Sequence, residues 1–371
     1  MRDAFRAIAL FLRDRVGWQG AGFAVGIAIV AIASFELYGI LREIKPREVV
    51  DALKATELQD VVVASLLVAA AYLTLTFYDY FALQTIGRSE VSYRTAALAS
   101  FTSYSIGHNV GFSIFSGGTV RYHIYSASGL SAIEVAKVCF VAGLTFWLGN
   151  IAVLGIGLLI EPGAASEIDR LPPLFNRGLG AAALLGLVLY VIWVSLAPRH
   201  VGRGSWDVAL PAGYLTLVQI LIGIVDLGLG SAAMYVLMPD TPQIDFISLA
   251  VIFVAATLLG FASHSPGGLG VFDAAMLVGL THFDREDLLG SLLIFRLLYY
   301  IVPFALSLAI IGFRQSILGV KPLLQGVDPA HRPSATAPLR SEIAAHTKSA
   351  APVPGSGSRK RVGRGKTSTM I

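Results

Sequence analysis

Seven stretches of the chain run for about the length of a bilayer crossing without a charged residue: 16–35, 61–78, 138–160, 179–196, 208–225, 246–263 and 297–313. A helix needs roughly 17 to 20 apolar residues to cross about 30 Å of hydrocarbon, so each predicts a membrane span. Polar positions concentrate between them. Residues 42–60, "REIKPREVVDALKATELQD", mix both charge signs with Val49, Val50 and Leu53 on one helical face, which predicts a helix lying on the membrane surface. The start, "MRDAFRAIALFLRDRVGW", reads as an interfacial amphipathic helix, with the first span retained in the mature protein. Connections near 84–94, 161–178, 197–207, 239–245 and 282–287 are too short to hide a second globular domain.

Two segments break the apolar pattern. "SFTSYSIGHNVGFSIFSGGTVRYHIY", residues 100–125, carries Gly107, His108, Asn109 and Gly111, then Gly117 and Gly118 before Arg121. "FASHSPGGLGVFDAAM", residues 261–276, carries His264, Pro266, Gly267, Gly268, Gly270 and Asp273. Each glycine lowers helix stability by about 1 kcal/mol relative to alanine, so these clusters favour broken or re-entrant helices. Such backbone is tolerated in a membrane only where protein buries it or water reaches it. Both segments contain His-x-x-Gly, which suggests two related halves. Residues 95–120 are expected to enter and return, and residues 266–282 to cross.

Composition agrees: 55% of the 371 residues are hydrophobic, 14% are charged and mean hydropathy is +0.70, whereas soluble domains carry about 25% charged residues. The expected fold is all-α, a polytopic helical bundle with about eight crossings. The single cysteine, Cys139, sits in an apolar run, so neither a disulfide framework nor a thiolate metal site can be built from it. No cofactor is expected. The net charge of +4 is concentrated at the C-terminal end, where residues 321–371 hold nine Lys/Arg against Asp328 and Glu342. That stretch reads as a disordered basic cytoplasmic tail after a membrane domain of residues 1–320. "GKT" at 365–367 lacks phosphate-loop spacing, and no nucleic-acid partner is expected. Arginines before the first span and at 199 and 203 place both termini in the cytoplasm.

Asp79, Asp226, Asp273, Arg121 and Arg296 lie within or beside apolar runs. Ionisable residues at such depth normally face the bundle interior and pair, and they mark transport paths. They are expected to form a network around a carboxylate-lined cavity suited to an amine-bearing headgroup; the alternative is purely structural ion pairs or snorkelling charges. Tyrosines accompany them in "YDY", "RYHIY" and "RLLYY", and Tyr299 and Tyr300 share a helix face with Arg296. No nucleophile elbow, HExxH or paired-carboxylate pattern points to hydrolysis.

"SYSIGHNVGFSIFSGGTVRYHIYS", "SPGGLGVFD" and "FRLLYYIVPF", in that order, resemble the membrane domain of the lysylphosphatidylglycerol synthase/flippase family, the multiple peptide resistance factors and their stand-alone relatives. The resemblance spans about residues 15–318. It implies that Ser105, His108, Asn109, Gly117, Gly118, Arg121, Pro266, Gly267, Gly268, Gly270, Asp273, Arg296 and Tyr300 occupy family motif positions. It also implies a multi-pass protein of the bacterial inner membrane that moves a phospholipid, with aminoacylated phosphatidylglycerol as the family's own substrate. The synthase domain of full-length members would stand after residue 320, where this sequence has the basic tail, so a separate lipid-modifying enzyme is the implied partner. A secondary transporter of a non-lipid solute, and a membrane enzyme or assembly factor, are the alternatives.

Overall fold

The run from Leu58 to Thr85 folds as one 28-residue helix, α1, which at 1.5 Å per residue exceeds the thickness of the hydrocarbon core. A computed structural model of the protein describes Lys54 and residues 56–110, 113–204, 206–211, 213–263 and 266–324. The expected amphipathic start, the first span at 16–35, most of the surface helix at 42–60, Gly111, His264 and the tail beyond Leu324 lie outside the described residues. After α1 come α2 (Tyr93–Val110), α3 (Ser113–Ser126), α4 (Ala132–Ile160), α5 (Pro162–Asp169) and α6 (Pro173–Leu196). A hairpin of β1 (His200–Arg203) and β2 (Trp206–Ala209) precedes α7 (Tyr214–Val236) and α8 (Phe246–Ala262). A 3-10 turn at Pro266–Gly268 leads to α9 (Val271–Gly279) and α10 (Arg285–Arg296). A π-helical segment at Leu297–Ile301 then joins α10 to α11 (Val302–Leu324).

Local chemistry sets these boundaries. Ser131 and Glu134 form a reciprocal capping box that starts α4. Asp245 accepts from the Ser248 N–H at 2.9 Å to start α8, and Asp284 accepts from the Glu286 N–H at 2.8 Å to start α10. In the connection between α1 and α2, Arg88 bridges Glu90 at 2.8 Å and Glu134 at 2.7 Å, tying that loop to the head of α4. The backbone N–H of Glu90, with Arg88, holds its carboxyl below the usual carboxylate range.

Among the described residues, five helical stretches are long and apolar enough to cross a membrane: α1, α4, α6, α7 and the continuous Arg285–Arg314; α8 is a shorter apolar helix. Two sequence expectations need correction. The span placed at 208–225 begins at Tyr214, because residues 206–209 pair with 200–203 in the β-hairpin. The crossing placed at 266–282 is instead the nine-residue α9, only about 14 Å long.

The chain reverses direction inside both glycine-rich segments. α2 packs along α3, with the backbone of Gly117 so close to the Ser103 carbonyl that an added Cβ would lie 3.1 Å from its oxygen. α8 packs along α9 in the same way, Gly260 facing Phe272 and Gly279 facing Ile252. The second reversal needs backbone that L side chains rarely adopt: Gly267, Gly268 and Gly270 have φ of 61°, 61° and 78°.

α4 and α7 cross at Gly149 and Gly223, where a Cβ on either residue would stand 2.6 Å from the other's Cα. One turn away Gln219 donates to the Thr145 hydroxyl at 2.9 Å. The two contacts keep the same sequence offset, so the helices run parallel. Since lipid tails are as apolar as leucine, close backbone approach and interhelical hydrogen bonds, more than burial of apolar surface, hold such helices together. Phe272, Phe295 and Tyr299 stack, and Phe253 meets Phe272 and Phe295 edge-on, so that these rings pack together among α8, α9, α10 and the π segment. α6 leaves Leu185, Val188, Leu189, Ile192 and Trp193 exposed, a surface suited to hydrocarbon.

Candidate functional site

Each hairpin is tied to the rest of the bundle by one arginine and one aspartate. On the first, Arg121 of α3 grips Asp79 of α1: Nη2 donates to Oδ1 at 2.8 Å and Nε to Oδ2 at 2.9 Å. The Tyr125 hydroxyl adds a third donor to Oδ2 at 2.8 Å. Asp79 is fully buried, and the guanidinium carbon lies 4.7 Å from the centroid of the Tyr104 ring. The carboxylate is thus satisfied by charge and by hydrogen bonds, as a charge held out of water must be. The fork uses Nε and Nη2; Nη1, at the other corner of the planar group, takes no part in it.

On the second, Arg296 at the end of α10 grips Asp273 of α9, Nε donating to Oδ1 at 2.9 Å and Nη2 to Oδ2. Asp273 Oδ2 also accepts from the Gly270 N–H at 3.2 Å, capping α9. Arg296 Nη1 reaches the Gly267 carbonyl at 3.4 Å, and its guanidinium carbon stands 5.9 Å from the Tyr300 ring.

The hairpin tips meet at the π segment. A π turn displaces backbone carbonyls from the regular ladder, and such turns recur at functional sites. Tyr72 of α1 donates its hydroxyl to the Tyr299 carbonyl at 2.9 Å. Asn109, at the tip of α2, donates to the Tyr300 carbonyl at 3.2 Å and to the Ser105 carbonyl at 2.8 Å. The Pro266–Gly268 turn packs on α2, with Asn109 and Arg296 the nearest side-chain neighbours of Gly267 apart from Leu269. Residues from 72 to 300 in the chain therefore converge on one point.

Asp226, near the middle of α7, stands apart from both ion pairs. It is buried, its Oδ2 accepts from the Tyr78 hydroxyl at 3.0 Å, and its Oδ1 has no hydrogen-bond partner among the described residues. The five ionisable residues expected to form one network are therefore two separate ion pairs and a lone carboxyl group.

A cavity of about 830 Å³ opens between the α2–α3 hairpin and α4, within the roughly 300–1,000 Å³ typical of ligand sites. Its walls are mostly apolar: Phe115, Phe140, Leu144, Phe146 and Trp147, with Trp206 from β2 and Phe261 from α8. Ser103, Tyr104, His108 and Arg121 supply polar groups, and no carboxylate lines it among the described residues. This cavity is therefore not lined by carboxylates: Asp79 is paired behind Arg121, and neither Asp226 nor Asp273 is among its walls. Phe115 is 75% exposed and Trp147 48%, so the wall continues onto the outer face of the bundle.

The remaining expected residues divide as follows. His108 lines the cavity with its ring edge-on to Tyr104 at 5.6 Å, and Gly118 faces the cavity opposite Cys139. Ser105 is buried and returns its hydroxyl to the Phe101 carbonyl of its own helix. Pro266 opens the 3-10 turn, and His264 lies outside the described residues. Sequence reasoning missed Tyr72, Tyr104 and the aromatic wall on α4. Only for Tyr104 was there a signal, its place four residues before His108 on a helix. Among the described residues, no group of three or more His, Cys, Asp or Glu is placed to hold a metal.

Comparison with known proteins adds to this geometry. The family described as the lysylphosphatidylglycerol synthase TM region matches residues 21–307. An uncharacterised protein of Synechocystis, slr0712, is 32% identical over 257 residues, 68% of this chain and 77% of the relative. The inner membrane protein YbhN of Escherichia coli is 29% identical over 248 residues, 65% of this chain and 76% of the relative. A phosphatidylglycerol lysyltransferase of Staphylococcus aureus is 25% identical over 249 residues, which are 66% of this chain but 28% of that enzyme.

Proposed function

The chain belongs to the lysylphosphatidylglycerol synthase TM region family, and from that membership we propose that it moves a phospholipid between the leaflets of a bacterial inner membrane. The observation that carries this reading is the cavity: apolar aromatic walls that run out to the lipid-facing surface, and at one place Arg121, His108, Tyr104 and Ser103. A lipid in transit must keep its acyl chains in hydrocarbon while its headgroup is sheltered. The Arg121 guanidinium lines the cavity with Nη1 outside the fork to Asp79, and it offers a charge-assisted donor to a phosphate oxygen, a group common to all phospholipids. Aminoacylated phosphatidylglycerol, made by a separate lipid-modifying enzyme, is one candidate substrate. Its amine would need a carboxylate that the cavity wall does not supply.

On this reading both hairpins are re-entrant. α1, α4, α6, α7 and Arg285–Arg314 then alternate in direction, which agrees with the parallel pairing of α4 and α7. The α2–α3 hairpin enters from one side of the membrane and the α8–α9 hairpin from the other, the inverted arrangement of many transporters, with tips meeting at the midplane. With the span expected from the sequence at 16–35 the count becomes six crossings and both termini fall on one side, which the positive-inside rule reads as cytoplasmic. The basic stretch after residue 321 is dispensable for transport. The test is exchange of headgroup-labelled phospholipids between leaflets of liposomes carrying the purified protein. Exchange faster than in empty liposomes is expected. No acceleration for any of several headgroups, together with uptake of a soluble solute, would replace this reading with that of a solute transporter.

A further inference from the structure

Among the described residues, Asp226 is a carboxyl group with no cation paired to it, and Tyr72 and Tyr78 of α1, Tyr104 of α2 and Tyr299 of the π segment are the titratable groups that face it. α10, which also packs on α7, carries Arg285, Glu286 and Asp287 in its first turn and Arg296, paired with Asp273, at its end. α8 carries no charged residue between Phe246 and Ala262. In α4 the parallel register with α7 sets Asp226 level with Ala152, about 22 Å along the axis from Lys137. One carboxyl oxygen is held by Tyr78 and the other by none of the described residues. An ionised carboxylate so placed would lack the partner that Asp79 and Asp273 each have, and burial without a partner favours the neutral acid.

The position of this group links it to the cavity. Tyr78 packs edge-on against Tyr104 at 5.8 Å between ring centroids. Tyr104 in turn lines the cavity and underlies the Arg121 guanidinium. Asp226 therefore sits two aromatic rings behind the proposed headgroup site. A phosphate anion arriving at Arg121 opposes a second negative charge nearby in a medium of low dielectric. The anion and the proton on Asp226 therefore favour each other, and by reciprocity each raises the affinity for the other.

Resting on the translocase reading, we propose that Asp226 is a reversible proton site whose occupancy is coupled to anionic phospholipid in the cavity, so that lipid and proton are bound together. Ionisation breaks the O–H bond at Oδ1, leaves the carboxylate accepting from Tyr78, and releases one proton.

Infrared difference spectroscopy of the purified full-length protein, titrated with pH, reads this site as a carboxylic-acid carbonyl band. The band should be present in the wild type and lost in Asp226→Asn. Tyr78→Phe, which removes the hydrogen bond but not the acid, should shift its frequency. Short-chain phosphatidylglycerol should move the titration midpoint upward by about one pH unit, a tenfold linkage, while inorganic phosphate, which cannot use the apolar walls, should not. Asp226→Asn should bind the short-chain lipid with an affinity independent of pH. Absence of the band, a midpoint that lipid leaves in place or lowers, the same shift with inorganic phosphate alone, or pH-dependent lipid binding retained in Asp226→Asn would each overturn the proposal. Leaflet exchange is read separately: linkage without exchange sinks the translocase reading and leaves the proton site standing, whereas exchange without linkage does the reverse.

Discussion

The two hairpins use the same chemistry in unequal surroundings. In the α2–α3 hairpin, Arg121 and Asp79 have side chains 8% and 0% exposed, a tyrosine hydroxyl completes the carboxylate, and an aromatic face covers the guanidinium. In the α8–α9 hairpin, Arg296 is as buried but Asp273 is 23% exposed, and the pair helps to brace a turn of three glycines in left-handed backbone. The first pair anchors a hairpin that walls a cavity, while the second holds a tight turn against α2. Aspartate and arginine thus fix a hairpin in either place, and the degree of burial decides how much depends on the pair.

The largest effect is expected from Asp79→Asn, which leaves the Arg121 charge buried and uncompensated; breaking such a pair costs about 3–5 kcal/mol. Thermal unfolding in detergent should show the loss, and the double variant Asp79→Asn/Arg121→Gln should regain part of it. Equal stability of the two would show that desolvation is not the cost. Asp273→Asn should cost less, about 1–3 kcal/mol, because water already reaches part of that carboxylate. A loss as large as that of Asp79→Asn would make the hairpins equivalent and remove the contrast.

Next come the glycines. Gly268→Ala meets only ordinary contacts, the nearest being the Gly260 Cα at 3.6 Å, so its expected cost of about 1–2 kcal/mol is the strain of left-handed backbone alone. Gly143→Ala, in open space on a helix, should be neutral or stabilising in the same melt. A loss of about 1 kcal/mol is expected for Asn109→Ala, which removes one side-chain donor from the Tyr300 carbonyl.

The spanning helices were legible in the sequence because lipid forbids charge along them, and the glycine clusters were legible because a straight helix has no use for them. Other features depended on distant residues. Asp79 and Arg121 could be named as buried ions, but 42 positions separate them and nothing local says that they pair. The apolar period runs unbroken through Leu297–Ile301, so the π turn left no mark; its displaced carbonyls are taken by Tyr72 and Asn109. The β-hairpin was hidden because Val208 to Leu210 read as the start of the following apolar run. Nor does the sequence say which residues line the cavity between the α2–α3 hairpin and α4. Which charge faces a cavity depends on which is consumed behind it, and here Arg121 stands between Asp79 and the opening.

Gly143 lines the cavity from α4, and a Cβ added there would meet no atom within 4 Å. Gly143→Trp therefore directs a bulky side chain from α4 into the cavity. In liposomes containing a headgroup-labelled phospholipid, the wild-type protein should accelerate exchange between leaflets, and Gly143→Trp should return the rate to that of empty liposomes while melting at the wild-type temperature. Exchange by Gly143→Trp at the wild-type rate would place the lipid path outside this cavity and contradict the role given to it.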